Sequence, residues 1–301
     1  MKKMLFINST KSGKSELNIK NEEIINIYKS HGRLSDIQVV NTEYKGHIGK
    51  IINDFKKEDI EEKIAIILGG DGSLNELANN AYASDIKIGL IPTGTGNDFA
   101  KNFNYRNFKI EDTLDYYTKP IDLIRINDKI CINIASLGFD TQVLKKAYDL
   151  LDENPKLGKK AYIRSVIHNL LHVSYENLYF DLEKIDGSRL KFNGDFLISA
   201  ICNGSFYGSG FNPAPDTKID DGYLNLVLAK KIPYPRLIPL VIKYKKGVHQ
   251  NSKYLSQILV KKGTISSKNG FIGNIDGEIF SCKEIKFEIL PAAIDWVYFK
   301  K

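Results

Sequence analysis

A chain of 301 residues with 43% hydrophobic and 26% charged residues can bury more than one core, which argues against an extended disordered segment and makes two domains the expectation. The formal net charge of +7, from 43 Lys and Arg against 36 Asp and Glu, favours an anionic partner without choosing among nucleotide, nucleic acid and membrane. Cys131, Cys202 and Cys282 are dispersed and form no CxxC, which argues against both a disulfide framework and a thiolate zinc site.

Lys3–Asn8 reads as a short apolar strand. Its apolar run ends at Ile7, too short for a signal peptide. No run of 18 uncharged apolar residues follows anywhere, so the expected location is cytoplasmic. Helical spacing through Leu17, Ile24, Ile27 and Tyr28 predicts a helix over Ser15–His31. Ile37–Val40 is strand-like, and Ile48, Ile51, Ile52 and Phe55 share one helical face. Lys63–Leu68 predicts a buried strand, Gly69-Gly70-Asp71-Gly72 a turn, and Ser73 the start of a helix. Ile86–Ile91 repeats the scheme before a second glycine-rich turn and a helix. Strands alternating with helices imply βαβ units and a parallel sheet.

Beyond Pro120 the rhythm changes. Ile121–Ile126 and Lys129–Ile134 flank a hairpin turn at Asn127-Asp128. An amphipathic helix is predicted over Pro155–Val173. Strands then follow around Tyr179–Lys184, Asp195–Asn203, Tyr223–Ala229, Leu255–Lys262 and Glu284–Leu290, with a helix near Pro235–Lys246. Asp186-Gly187 and Asn269-Gly270 are turn signals. The expected fold class is an α/β N-terminal domain with a parallel, nucleotide-binding sheet (1–125), followed by a mainly antiparallel β C-terminal domain with few helices (126–301). The extreme C-terminus is a candidate to return to the first domain.

The chemistry concentrates at the two glycine-rich turns. In Leu68-Gly69-Gly70-Asp71-Gly72-Ser73-Leu74-Asn75-Glu76 the glycines let backbone approach phosphates, and the helix start adds unpaired N–H groups. An acidic residue there is compatible with phosphates when Mg²⁺ lies between them. Pro92-Thr93-Gly94-Thr95-Gly96-Asn97-Asp98-Phe99-Ala100 has the same setting, although Asn97 or Asp98 also suits a plain N-cap. Turns at the carboxyl ends of strands in one parallel sheet converge on one crevice.

These segments resemble the diacylglycerol kinase catalytic family, in its bacterial lipid-kinase branch, which carries Gly-Gly-Asp-Gly-Thr, Asn-Glu and Gly-Thr-x-Asn-Asp-Phe-Ala. The resemblance continues in order through Asn8, Ser12 and Gly13, Thr42, Gly46 and His47, Asn203 with Gly208-Ser209-Gly210, Pro215 to Leu224, and Asp276-Gly277-Glu278. It implies ATP as phosphate donor, with contacts at Asn8, Thr42, Gly69, Gly70, Asp71, Gly72, Ser73, Leu74, Asn75 and Thr95. It also implies Glu278 as the base, with Asp71 and Asp98 in the catalytic set. A structural Mg²⁺ would be held by the Asp221 side chain and the carbonyls of Lys218 and Tyr223. The acceptor would be a lipid, most simply diacylglycerol, met at an anionic membrane surface to which the protein binds reversibly. A homodimer is an allowed arrangement. Taken alone, Asp276-Gly277-Glu278 and Asp220-Asp221-Gly222 also read as turns.

Departures from the family are Ser73 for Thr, Ser9 for Pro, Ser209 for Gly, Thr217 for Ala and Asn225 for Asp; only the last removes a charge. Rival readings stay open. Asn8 to Ser15 nearly spells a Walker A loop but lacks its first glycine. A nicotinamide-dinucleotide kinase shares Gly-Gly-Asp-Gly, and a nucleotide-binding regulator without turnover would keep the same turns. Nucleic acid is not expected as a partner, because the basic residues are mixed with acids and no aromatic–basic motif appears.

Overall fold

The computed structural model describes residues 2–9, 17 and 19–300, apart from the Lys159 side chain. Ser12 and Gly13 of the family-like first loop, and Lys14 of the Walker-like stretch, lie outside the described residues. In chain order the elements are β1 (Lys2–Asn8), α1 (Asn21–Ser30), β2 (Ile37–Asn41), α2 (His47–Lys56), β3 (Glu62–Gly69), α3 (Asp71–Ala81), β4 (Lys87–Pro92), β5 (Tyr116–Ile126), β6 (Lys129–Cys131) and β7 (Ile134–Gly138). They continue with α4 (Phe139–Glu153), α5 (Lys159–Leu171), β8 (Glu176–Lys184), β9 (Arg189–Cys202), β10 (Leu224–Lys230), α6 (Tyr234–Lys245), β11 (Leu255–Ile275) and β12 (Glu278–Phe299). Two compact units result: Met1–Leu123 with Pro291–Lys301, and Ile124–Leu290.

In the first unit β2, β1, β3 and β4 lie side by side and all parallel. Trp296 of β12 joins parallel to Ile88 of β4. Ile64 to Leu68 are fully buried, the continuous apolar run of a parallel strand covered on both faces. Tyr28 of α1 packs edge-on to Phe6 with centroids 5.7 Å apart and donates from its hydroxyl to the Thr113 carbonyl at 3.1 Å. Trp296 stacks on Phe103 at 4.9 Å, so the returning strand is held by aromatic burial.

The second unit is antiparallel throughout. β9 pairs with β8 through residues 189–196 and with β7 and β10 further on. β11 pairs in turn with β10, β8 and β7, and with β12 along its second half. One apolar cluster lies among the strands around Phe180, Phe196, Leu226, Ile265 and Phe287. A second lies between β7, β9 and β10 and the three helices, through Ile134, Val143, Ala200, Val227 and Leu237. The expected fold class is therefore what the structure has.

Several local expectations change. α1 begins at Asn21 rather than at Ser15. After the second glycine-rich turn there is only a 3-10 turn, Phe99–Asn102. The predicted helix over Pro155–Val173 is broken at Gly158, whose φ is +49°, into a 3-10 turn and α5. Asn269-Gly270 is not a hairpin turn but the place where the β11–β12 register shifts between Ser266 and Phe271. Helix α4 was not expected at all.

Candidate active site

The two glycine-rich turns stand at the carboxyl ends of adjacent strands β3 and β4. The N–H groups of Thr93 and Gly94 donate to the Gly69 carbonyl at 3.1 and 3.2 Å. The approach is so close that a Cβ on Gly94 would collide with the Gly70 Cα, which leaves glycine as the residue that fits. Asp71 completes the joint. Its Oδ2 accepts the Asp98 N–H and its Oδ1 the Phe99 N–H, both at 3.0 Å. Burial raises the Asp71 carboxyl above its ordinary range and the neighbouring Asp98 adds to this, while the two N–H bonds pull the other way. Asp98 is buried and pairs with Lys101. The Thr93 Oγ1 and Asn97 Oδ1 are buried at this joint and have no partner among the described residues, the condition of polar atoms awaiting a ligand.

The ends of β1 and β2 frame the same edge of the sheet. Asn8 donates to Asn21 and Asn21 to Asn41, each at 2.9 Å. The Thr42 N–H reaches the Asn8 carbonyl at 2.9 Å, and Ser73 Oγ donates to Ser9 Oγ at 2.9 Å. Asp71, Gly72 and Ser73 form the first turn of α3, where N–H groups point out of the helix. Asn8, Thr42, Gly69, Gly70 and exposed Thr95 thus share one rim with that helix start. Leu74 is wholly buried and its N–H is used by the Gly70 carbonyl at 3.0 Å, while Asn75 is engaged by Asn79.

The other site residues belong to the second unit. Asp276 and Gly277, with φ of +48° and +92°, make the two-residue turn between β11 and β12 in which Ile275 faces Glu278. Asp276 is an anchor: its carboxylate accepts N–H groups of Ile132, Asn133 and Ile134 at 2.8, 3.0 and 3.1 Å. Burial pushes its pKa up to about 6, against those donors. Glu278 is exposed and pairs with Lys129 at 3.5 Å. Tyr148 of α4 donates to the Gly277 carbonyl at 3.0 Å, steadying the turn that presents it.

Lys218, Asp221 and Tyr223 lie on the segment entering β10. Asp221 Oδ1 accepts the Tyr223 N–H at 3.3 Å across Gly222, and the Asp221 charge raises the Tyr223 phenol pKa. One carboxylate with main-chain carbonyls is an all-oxygen set that suits a hard cation. No group of three or more His, Cys, Asp or Glu side chains is placed to hold a metal among the described residues, and the Lys218–Tyr223 set does not need one. Asn225, where the family has Asp, is buried in β10 beside Gln257; an amide there avoids burying a charge.

Two groups escaped the sequence reading. Asp122 is buried in β5 and accepts the Ala292 N–H at 2.8 Å, fixing the point where β12 re-enters the first unit; an acid inside an apolar strand is its signal. Asp140, at the start of α4, accepts the Tyr207 hydroxyl at 2.8 Å, and Tyr207 meets Tyr244 at 3.2 Å. Burial pushes the Asp140 pKa up to about 6. Nothing in the spacing of these three residues marks them as partners.

Residues 2–126 match the family described as the diacylglycerol kinase catalytic domain, and residues 133–298 match the YegS C-terminal NAD kinase beta sandwich-like domain. A protein of Shewanella frigidimarina named "Probable lipid kinase YegS-like" is 31% identical over 253 residues, 77% of this chain and 75% of its own. One of the same name from Klebsiella pneumoniae is 30% identical over 278 residues, covering 90% and 89%. A solved diacylglycerol kinase from Bacillus anthracis superposes with a TM-score of 0.71 at 17% identity, over 99% of this chain and 97% of that one.

Proposed function

The chain belongs to the diacylglycerol kinase catalytic family, in its YegS-like lipid kinase branch, and on that ground we propose that it transfers the γ-phosphate of ATP to the hydroxyl of diacylglycerol, giving phosphatidic acid. The observation that carries this is the joint at Asp71, which holds the two glycine-rich turns together at one sheet edge. ATP would lie across that edge with its phosphates on the N–H groups of Asp71 to Ser73 and contacts from Asn8, Thr42, Gly69, Gly70 and Thr95. Asp71 positions the second turn, and Asp98 with Lys101 supplies charge beside it. Mg²⁺ carried with the nucleotide would neutralise phosphate charge during transfer.

Glu278 is the group to take the proton from the acceptor hydroxyl. As it does, the acceptor oxygen bonds to the γ-phosphorus, the bond to the bridging oxygen breaks and ADP leaves. Lys129 must release the carboxylate for this; an exposed pair of this kind contributes on the order of 1 kcal/mol or less. Because the acceptor resides in a bilayer, the enzyme works at an anionic membrane surface.

The NAD kinase likeness in the description of residues 133–298 makes a nicotinamide dinucleotide the rival acceptor. Labelled ATP offered with a panel of detergent-dispersed lipids and, separately, NAD tests the choice. Label in extractable lipid phosphomonoester is expected; label only in dinucleotide would overturn the lipid assignment.

A structural Mg²⁺ at Asp221 gives a further expectation. Asp221→Ala should lower the melting temperature in Mg²⁺ buffer by several degrees, and the gain that Mg²⁺ gives the unmutated protein should vanish. Calorimetry with and without chelator checks this, and equal Mg²⁺ responses in both proteins would contradict the site.

A further inference from the structure

Helix α5 is apolar on two sides, because Tyr162, Val166 and Leu170 pack on the core and a second apolar set does not. Its buried positions are Ala161, Ser165 and Asn169, with Ser165 donating to the Val143 carbonyl of α4. Its exposed positions include Ile163, Ile167 and Leu171, at 60%, 56% and 65% of their full exposure. Helix α6 likewise carries apolar residues on two sides: Leu237, Leu240 and Tyr244 are buried, while Tyr234, Ile238 and Ile242 are 55%, 50% and 52% exposed. Each exposed set has i, i+4, i+8 spacing, one continuous stripe along a helix. Val248, just past α6, is the one other large apolar side chain among the described residues that is at least half exposed.

The two stripes look the same way. Both helices pack on the cluster formed by β7, β9 and β10. Tyr162 of α5, Phe211 and Tyr244 of α6 form a chain of rings with centroids 6.3 and 6.4 Å apart. The faces turned from that cluster therefore open to one side of the unit. Single exposed apolar residues are ordinary, but paired stripes of this kind call for a cover.

Charge identifies the cover. Residues 155–173 and 230–250 hold ten Lys and Arg and no Asp or Glu, against +7 for the whole chain, so the remainder is net negative. Lys160, Arg164, Lys243, Lys245 and Lys246 on and beside the two helices are all exposed. Apolar stripes rimmed by cations with no anions among them are the composition of a surface that lies in a bilayer interface rich in anionic headgroups. We infer that α5 and α6 together form the membrane-docking face of this protein, seating the Ile163–Leu171 and Tyr234–Ile242 stripes among the acyl chains and the flanking lysines among the headgroups. The inference rests on the lipid-kinase reading for its purpose and on the two helices alone for its geometry.

The test uses the full chain and vesicles of phosphatidylcholine with or without one quarter phosphatidylglycerol. The unmutated protein should co-sediment with the anionic vesicles, less so as salt rises. Ile167→Glu combined with Ile238→Glu, both at exposed positions, should weaken binding by about tenfold or more without changing the melting temperature. A separate Ile167→Trp reporter should shift its emission to the blue on anionic vesicles. The double variant should phosphorylate detergent-dispersed lipid at the unmutated rate, so loss confined to vesicles marks docking. Absence of kinase activity in detergent with stripe-dependent vesicle binding intact would sink the lipid-kinase reading and leave the docking face standing. Vesicle binding that is absent, or unchanged in the double variant, would overturn the docking face whatever the activity. So would sedimentation showing that the stripes only join two copies of the chain, with vesicle binding unaffected.

Discussion

Glu278→Gln is expected to lower turnover by about 10²–10⁴-fold while ATP binding stays near normal, the loss typical of removing a general base. The substitution keeps the size of the side chain and the I′ turn beneath it, because that turn is anchored by Asp276 rather than by Glu278. The side chain is exposed, with Lys129 as its ionic partner, so stability should be unaffected. Rates measured at saturating ATP and dispersed lipid, with nucleotide affinity by calorimetry, separate a chemical role from a binding role. Unmutated turnover in the variant would remove Glu278 from the reaction.

Asp71→Ala should be as severe for a different reason. Truncation leaves the N–H groups of Asp98 and Phe99 without their acceptor at a buried joint, a penalty of about 1–3 kcal/mol for each orphaned donor. The second glycine-rich turn then loses its register with the first. Melting temperature and ATP affinity should fall together, and kcat/KM should drop by about 10²-fold or more. Asp71→Asn should be only partly restorative, since one face of the amide presents a donor to a donor. The matched control is Lys14→Ala, which should be mild here and nearly abolish activity in a Walker A enzyme. The reverse ranking in side-by-side kinetics would revive the P-loop reading.

The features that the sequence disclosed are those with strong local causes. The run Ile64 to Leu68 is short and ends at glycines, which favours a strand buried on both faces, and glycines follow it because Gly69, Gly70 and Gly94 meet across the joint. That Asp71 would spend both oxygens on the second turn was not legible, since the pairing depends on β3 and β4 being neighbours. Helix α4 was hidden because its buried set, Phe139, Asp140, Thr141, Val143 and Ala147, mixes acid and hydroxyl with apolar residues. The Asp140–Tyr207–Tyr244 network that makes this tolerable is spread over more than 100 residues of chain. On α5 the apolar residues were visible but their destination was not: Val166 and Leu170 pack inward while Ile163, Ile167 and Leu171 do not. Asn269-Gly270 has turn chemistry, yet β11 continues through it because β12 supplies a partner on both sides.

The measurement that bears most directly on the account is product stoichiometry: the purified protein, ATP labelled at the γ position and dispersed diacylglycerol, with ADP and lipid phosphomonoester quantified in the same reaction. The account predicts one phosphatidic acid for each ADP, with both falling together in Glu278→Gln. ADP formed without labelled lipid, or ATP bound with neither product appearing, would contradict it.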